Sequence, residues 1–374
     1  MREIQKSESL ELILFCGASA LLDKYGEVSK LVERDGFEIQ ERIYQIVEGE
    51  NLVTMAKSAA LGMLELPRLF DKYAPNFVIV VGDRFEMLSV AVTAVYMNIP
   101  IVHTMGGEFS GTVDEILRHA ITKLSHIHFP ANELAKQCIL QMGEDEQYVF
   151  NYGCPRMDSI KEIIETPMDN EKIAEFIKKT GVGAPFVIDD GFLLVSQHPV
   201  TTEFGDGESQ MEKTLLAVSE VSKKHDLPVI ALWPNADAGS DHMSRAIRKF
   251  REKRLDTNFR FFKNLPLDIY VWLMNKTSCL IGNSSSGIRE GAFMGTPVVN
   301  IGSRQSDRAR GKNVIDVAYD IAEITNAINH QIDHGKYASD PVYGQGATGK
   351  RIIEVLETID VKIQKKFITR SLNE

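Results

Sequence analysis

The stretch Ser278-Cys279-Leu280-Ile281-Gly282-Asn283-Ser284-Ser285-Ser286-Gly287-Ile288-Arg289-Glu290 decides the fold. It opens on a short, mostly apolar run of the kind a buried parallel strand needs. The polar Asn-Ser-Ser-Ser-Gly then makes a turn, and a helix begins with Arg289 and Glu290 in its first turns. Strand, Ser/Gly turn and helix together aim backbone N–H groups and hydroxyls at one spot where an anion is favoured. Glu290, about one turn in, is placed for a carboxylate to reach a ribose diol. The competing reading is a Ser-rich N-cap followed by a solvated Glu. The rest of the chain has to decide between them.

Working outward, the same alternation recurs on both sides. In the second half, Phe192–Ser196, Val229–Trp233, Phe259–Lys263, Ser278–Ile281 and Pro297–Ile301 read as strands with helices between them. In the first half the strands are Leu10–Cys16, Phe77–Val81, Pro100–His103, His126–Pro130 and Gln147–Asn151. The helices there are Asn51–Tyr73, Glu86–Met97, Asp114–Leu124 and Asn132–Met142, with Pro67 expected to kink or split the first of them. Alternating strands and helices predict parallel sheets covered on both faces, with functional groups at the carboxyl ends of the strands. The fold class is therefore α/β, with two Rossmann-like domains facing each other across a cleft. The expected boundaries are 1–164 for the first domain, 165–190 for a linker and 191–348 for the second. Residues 349–374 form a final helix and basic tail, expected to pack back toward the first domain.

The chain has 374 residues, enough for two domains, with 44% hydrophobic and 25% charged residues. That is the composition of a globular protein. A net charge of −10 argues against non-specific nucleic-acid binding, while leaving room for a local basic pocket. Cys16, Cys138, Cys154 and Cys279 show neither CxxC nor metal spacing. No signal peptide and no apolar run of membrane-spanning length is seen, so the reading is cytoplasmic, with no membrane and no metal.

Polar groups gather at the strand ends. The first half supplies Asp83, Arg84, His103, Glu108 and Asp114; the second supplies His198, Asn235, Ser284, Ser285, Glu290 and Arg304. Carboxylates, a histidine and an anion cradle suit proton transfer on a phosphorylated substrate. Each has a structural alternative: Asp83-Arg84 as an ion pair, Gly106-Gly107 as a plain turn, Asp114 as a helix N-cap, His198 as a turn histidine. Arg118 and His119, on the helix after Asp114, read as structural more than catalytic.

Gly82-Asp83-Arg84-Phe85-Glu86, Gly106-Gly107-Glu108 with Gly111-Thr112-Val113-Asp114, Arg118-His119-Ala120-Ile121-Thr122-Lys123-Leu124, Gln197-His198-Pro199-Val200-Thr201-Thr202 and Gly282 through Glu290 occur in order across the chain. In these segments the chain resembles the hydrolysing UDP-N-acetylglucosamine 2-epimerases that open sialic- and legionaminic-acid synthesis. It is similar in particular to the epimerase half of the bifunctional epimerase/kinase. The resemblance implies a glycosyltransferase-B type fold, no cofactor, a UDP-sugar substrate and a homo-oligomer, dimer or tetramer. The implied reaction eliminates UDP as the C2 proton is removed, giving a glycal. Water then adds with inversion at C2, releasing a free manno-configured sugar and UDP.

Residue by residue, the match makes Asp83 and Asp114 the acid/base pair and Glu108 a third carboxylate. His198 and Arg84 would serve the diphosphate, with Ser284 and Ser285 holding phosphate. Glu290 would take the ribose hydroxyls; Arg304 and Asn235 would line the site, and backbone near Leu265–Leu267 would read the uracil. Two other outcomes stand beside this one: a non-hydrolysing epimerase, and a UDP-sugar-binding protein without turnover. The resemblance also makes Arg245 and Arg248 a feedback site for a CMP-nonulosonate, against the plainer reading of a solvated basic helix face.

The chain departs from the family twice. Met105 stands where relatives carry a Glu or His, and a thioether transfers no proton. At the start, Met1–Ser9 is polar and Leu10–Cys16 fits the family's second strand, so the first strand and its Arg-bearing loop are expected in an upstream segment of about 20–25 residues.

Overall fold

The computed structural model describes all residues except 23–27, 49–51, 110–112, 184–190, 201, 202, 204, 235–239, 254–256, 264 and 371–374. In chain order the elements are α1 (Arg2–Lys6), β1 (Phe15–Gly17), α2 (Val28–Arg34), β2 (Glu41–Ile43), α3 (Leu52–Tyr73), β3 (Val78–Val81), α4 (Phe85–Tyr96), β4 (Ile101–Thr104), α5 (Val113–Leu124), β5 (Ile127–Phe129) and α6 (Glu133–Gln141). They continue with α7 (Arg156–Glu165), α8 (Asn170–Thr180), β6 (Val182–Gly183), β7 (Leu193–Ser196), α9 (Gly207–His225), β8 (Val229–Leu232), α10 (Ser240–Glu252), β9 (Phe259–Phe262) and α11 (Leu267–Lys276). Last come β10 (Cys279–Gly282), α12 (Ser285–Ile288), α13 (Glu290–Met294), β11 (Val298–Ile301), β12 (Val314–Val317), α14 (Ile321–His334) and α15 (Thr348–Leu356).

The chain forms two compact units: Met1–Phe109 with Val113–Cys154 and Ala347–Glu374, and Pro155–Gly346. In the first, β3, β4 and β5 form a parallel three-stranded sheet, and β1 and β2 pair in parallel as a separate sheet. Leu66, Leu69 and Phe70 of α3 pack with Val78, Val80, Ala91, Ala94 and Ile101, and Phe15 of β1 rests against the same cluster. The helix α3 runs on through Pro67 without a break. On another cluster, Ile4 of α1 and Ile352, Ile353 and Leu356 of α15 pack with Val102, Ile127 and Phe129. The N-terminal segment, read from sequence as polar, thus contributes a short helix.

In the second unit the strand order is β12-β11-β10-β7-β8-β9-β6. All neighbours are parallel except β6, which pairs antiparallel to β9. The chain leaves β7 in one direction and returns to begin at β10 on its other side. That reversal is a topological switch point, the position at which open α/β sheets bind ligands outside the carboxyl ends of their strands.

Three expectations are corrected. Gln147–Asn151 is not a strand: a 3-10 turn occupies Glu146–Tyr148, and only an isolated bridge joins His128 to Val149. The Asp145 side chain accepts from the Gln147 N–H, and this cap favours the turn. The strand Leu10–Cys16 shrinks to β1, with Leu10 and Leu12 used as partly buried packing instead. The units divide at Cys154/Pro155, ahead of the boundary at 164/165, and 165–190 contains α8 and β6. Asp169 caps α8, Ile173 and Ile177 bury one face of it, and Arg260 donates to the carbonyls of Ile177 and Lys178.

Candidate functional site

In the second unit the switch point brings the ends of β7 and β10 into close contact. Gly282 has φ +134°, and a Cβ there would come within 2.2 Å of the Ser196 carbonyl oxygen, so only glycine allows the approach. Asn283 follows and grips the other strand end from both sides. Its Oδ1 accepts from the His198 N–H at 2.7 Å, and its Nδ2 donates to the His198 carbonyl at 2.8 Å. Arg304 Nη1 and Gln305 Nε2 both donate to the Asn283 carbonyl, at 3.2 and 3.0 Å. His198, Ser284 and Arg304 are thereby gathered round one buried amide.

Ser284 is the N-cap of α12, accepting from the Ser286 N–H. Its hydroxyl lies 2.8 Å from that of Ser286, which lies 2.6 Å from the Tyr270 hydroxyl. Burial, opposed by these hydroxyls, raises the pKa of Tyr270, so it remains a neutral donor. The Ser/Tyr cluster with the start of α12 is suited to an anion. Glu290 is 8% exposed, and its Oε1 accepts from Arg156 Nε at 3.0 Å. Neither Tyr270, Asn283 nor Arg156 was singled out from sequence. Asn283 lies in the Asn-Ser-Ser-Ser-Gly turn, where its sequence reads as a plain turn residue; the other two lie on distant helices with no local signal.

In the first unit, Asp83 follows β3 and Glu108 follows β4. Arg118 of α5, only 4% exposed, donates from one guanidinium to both: Nη2 to the Asp83 carboxylate and Nη1 to the Glu108 carbonyl. Arg118, read as structural, is thus the group that joins the two turns. Glu108 is itself 3% exposed. Asp114 lies exposed in the first turn of α5. Arg84 is exposed and pairs with Glu86 at 2.7 Å. Met105 occupies a left-handed backbone position, φ +63°, in the turn after β4. A non-glycine residue there stores strain of the kind found at functional turns.

The remaining expected residues fall as follows. Ser285 opens α12 and is half-buried. Arg245 and Arg248 are exposed on α10, and Arg245 lies 3.6 Å from Glu208, which Lys249 also contacts. Asn235 lies outside the described residues. Among the described residues, no group of three or more His, Cys, Asp or Glu is placed to hold a metal ion, and no helix is long and apolar enough to cross a membrane.

Comparison with known proteins finds relatives over most of the chain. The chain is 33% identical over 364 residues to a hydrolysing UDP-N,N'-diacetylbacillosamine 2-epimerase of Legionella pneumophila, covering 97% of this chain and 92% of that one. It is 34% identical over 316 residues to a hydrolysing GDP/UDP-N,N'-diacetylbacillosamine 2-epimerase of Campylobacter jejuni, covering 84% and 78%. Among solved structures, the UDP-GlcNAc 2-epimerase of Neisseria meningitidis bound to UDP-GlcNAc superposes with a TM-score of 0.78 at 16% identity, over 95% of this chain and 94% of that one. At that identity the likeness establishes the fold, α/β with two Rossmann-like units of glycosyltransferase-B type. The family model described as UDP-N-acetylglucosamine 2-epimerase matches residues 2–357, and the chain belongs to that family.

Proposed function

We propose that the chain is a hydrolysing UDP-sugar 2-epimerase, converting UDP-GlcNAc or a diacetamido-trideoxy relative, with water, into a free 2-epimeric sugar and UDP. The observation that carries this reading is the anion cradle at the β7/β10 switch point, where Asn283 fixes His198 beside Ser284. A diphosphate leaving group needs such charge stabilisation as its bond to C1 breaks. The names of the relatives from Legionella and Campylobacter support hydrolysis and the diacetamido sugar.

In the first step a carboxylate removes the C2 proton, the C–H electrons form the C1=C2 bond, and UDP departs with the C1–O electrons. Asp83 is the base in this reading, because its ion pair with Arg118 favours the ionised carboxylate. In the second step an acid, Asp114, protonates C2 from the opposite face with the C1=C2 electrons, water adds its oxygen to C1 and sheds a proton that restores Asp114, and Asp83 releases its proton to solvent. His198 and Arg84 act on the diphosphate, Ser284 and Ser285 hold phosphate, and Glu290 takes the ribose with Arg156 orienting its carboxylate. By the family resemblance Arg304 and Asn235 serve the nucleotide, and Glu108 is a third carboxylate.

Met105 favours a second reading, binding without turnover, since its thioether transfers no proton at a turn where the family resemblance implies an ionisable group. Incubation with each UDP-sugar decides. Free sugar with UDP supports the proposal, a nucleotide-linked epimer makes the enzyme non-hydrolysing, and binding without conversion supports the second reading. We also propose, from the resemblance to the bifunctional enzyme, feedback by a CMP-nonulosonate at Arg245 and Arg248, together with cytoplasmic action and a homo-oligomeric state. Inhibition lost in Arg248→Ala and the mass in solution test the first and last of these.

A further inference from the structure

His103 lies near the carboxyl end of β4 and takes no part in the reaction proposed above. It lies on β4, fully buried, paired in register with His128 of β5. Its Nε2 is 2.9 Å from the Gly82 carbonyl, so Nε2 carries the proton and donates. Its Nδ1 is left as an acceptor, 3.2 Å from the Thr122 hydroxyl, which also lies 2.9 Å from the Arg118 carbonyl. Arg118 and Thr122 are spaced i, i+4 on one face of α5.

The imidazole also bears on the second turn. A Cβ at Gly106 would come within 2.7 Å of His103 Nδ1 and 2.8 Å of Thr122 Oγ1. The Gly106-Gly107 turn is therefore laid directly on the His103–Thr122 pair. One flat side chain thus holds the carbonyl immediately before Asp83 and supports the turn leading to Glu108. Arg118, from the same helix face, fixes the Asp83 carboxylate and the Glu108 carbonyl.

We propose that His103 is a positioning residue for the Asp83 carboxylate, locking the turns after β3 and β4 into one register through Gly82 and Gly106. The proposal rests on Asp83 taking part in the reaction. Burial first, then the nearby His128 and His119, hold the imidazole pKa down at about 4 against the pull of the Gly82 carbonyl, so it is a neutral donor at working pH. A displacement of about 1 Å at a reacting group costs on the order of 100-fold in rate.

The test uses the full chain with four single variants and one double variant, reading kcat and KM for UDP release, UDP affinity and melting temperature. His103→Leu should lower kcat about 30- to 100-fold with UDP affinity within two-fold of wild type. His103→Gln, which keeps an amide N–H able to reach the Gly82 carbonyl, should stay within about five-fold. Gly106→Ala should lower kcat as His103→Leu does, and the two together should cost less than the product of the singles, because both break the same support of the turn by the imidazole. Asp83→Asn is the control for the underlying reading. If it keeps wild-type turnover, that reading and the proposal both fall. If Asp83→Asn is inactive while His103→Leu is fully active, the proposal alone falls. It also falls if the Leu and Gln variants lose turnover equally and in step with melting temperature, or if the pair with Gly106→Ala is strictly multiplicative.

Discussion

Arg118 shows how one side chain sets the character of the first-unit site. A buried guanidinium pairs with Asp83, and an opposite charge at that distance favours the ionised carboxylate, in keeping with the proposed role of Asp83 as the base. Asp83→Asn and Asp114→Asn should therefore each lower kcat by about 100-fold or more, with UDP affinity nearly unchanged. Activity within a few-fold of wild type in either variant would remove that residue from the mechanism. Met105→Glu is the complementary change; raised turnover would show that a missing ionisable group limits the rate. His103 yields a prediction about acid. Its folded pKa, about 4, lies below the unfolded value near 6.5, so the unfolded chain binds more protons between those values. Its contribution is complete above pH 6.5 and is lost as pH falls toward 4, about 2 kcal/mol of it by pH 5. His128 is depressed in the same direction by burial, while Arg118, Asp83 and His119 stand nearby, so comparison with His103→Gln is needed to isolate the effect. Urea melts at pH 7.5 and pH 5 should show a smaller loss in the Gln variant; equal losses would contradict the assignment.

At the scale of elements, the segment after α15 is stitched to β5 and α6 through one buried carboxylate. Glu144 receives Lys123 at 2.6 Å, Lys365 at 2.7 Å and His128 at 3.1 Å. Burial alone would raise its pKa; His128, Lys123 and Lys365 overcome that and hold it at about 2. The Ile368 N–H donates to the Gly143 carbonyl, Arg370 to the Glu144 carbonyl, and the Ile363 carbonyl meets His126. Breaking a buried ion pair by removing one partner costs about 3 kcal/mol or more. Glu144→Gln should therefore lower the melting temperature by several degrees, and removal of residues 362–374 should do much the same without adding to it. Strict additivity of the two would show that the tail is held elsewhere. This latch was legible only as a basic tail, because Glu144 shows no sequence periodicity linking it to Lys365. The same limit explains the other gaps. β3, β4, β7 and β10 were readable because each is a local apolar run, and Ser284 because its cap is local. Arg156 with Glu290, Tyr270 with Ser286 and Arg118 with Asp83 join residues far apart in the chain, and pairing across such distances leaves no spacing to read. The turn at Glu146–Tyr148 and helix α8 had local signals, the Asp145 and Asp169 caps, outweighed by apolar content in one case and by Gly and Pro in the other.

For the whole molecule, the two units are unequally built. In the second, β7, β9, β10 and β11 are buried at every position, inside a sheet of seven strands. In the first, the strands are divided between a pair and a triplet, and β3 alternates, with Ile79 39% and Val81 56% exposed. Strands with fewer apolar contacts and more open hydrogen bonds unfold locally at lower free energy. Amide exchange should accordingly be faster in β1–β3 than in β7 and β10. The two units should also respond differently to nucleotide. If UDP docks on the cradle formed by Ser284, Ser286, Tyr270 and the Asn283-held His198, it stabilises the folded second unit by mass action. At 100 times its Kd that amounts to about 2.7 kcal/mol, or roughly 100-fold slower exchange for amides that open only with the unit. β7, β10 and β11 should therefore gain protection with UDP alone, while β1–β3 stay near their rates without it. Uniform exchange across both units would contradict the first expectation. Protection centred on β1–β3 would contradict the second, moving the nucleotide away from the switch point and leaving Asn283, Ser284 and Tyr270 to be explained as packing.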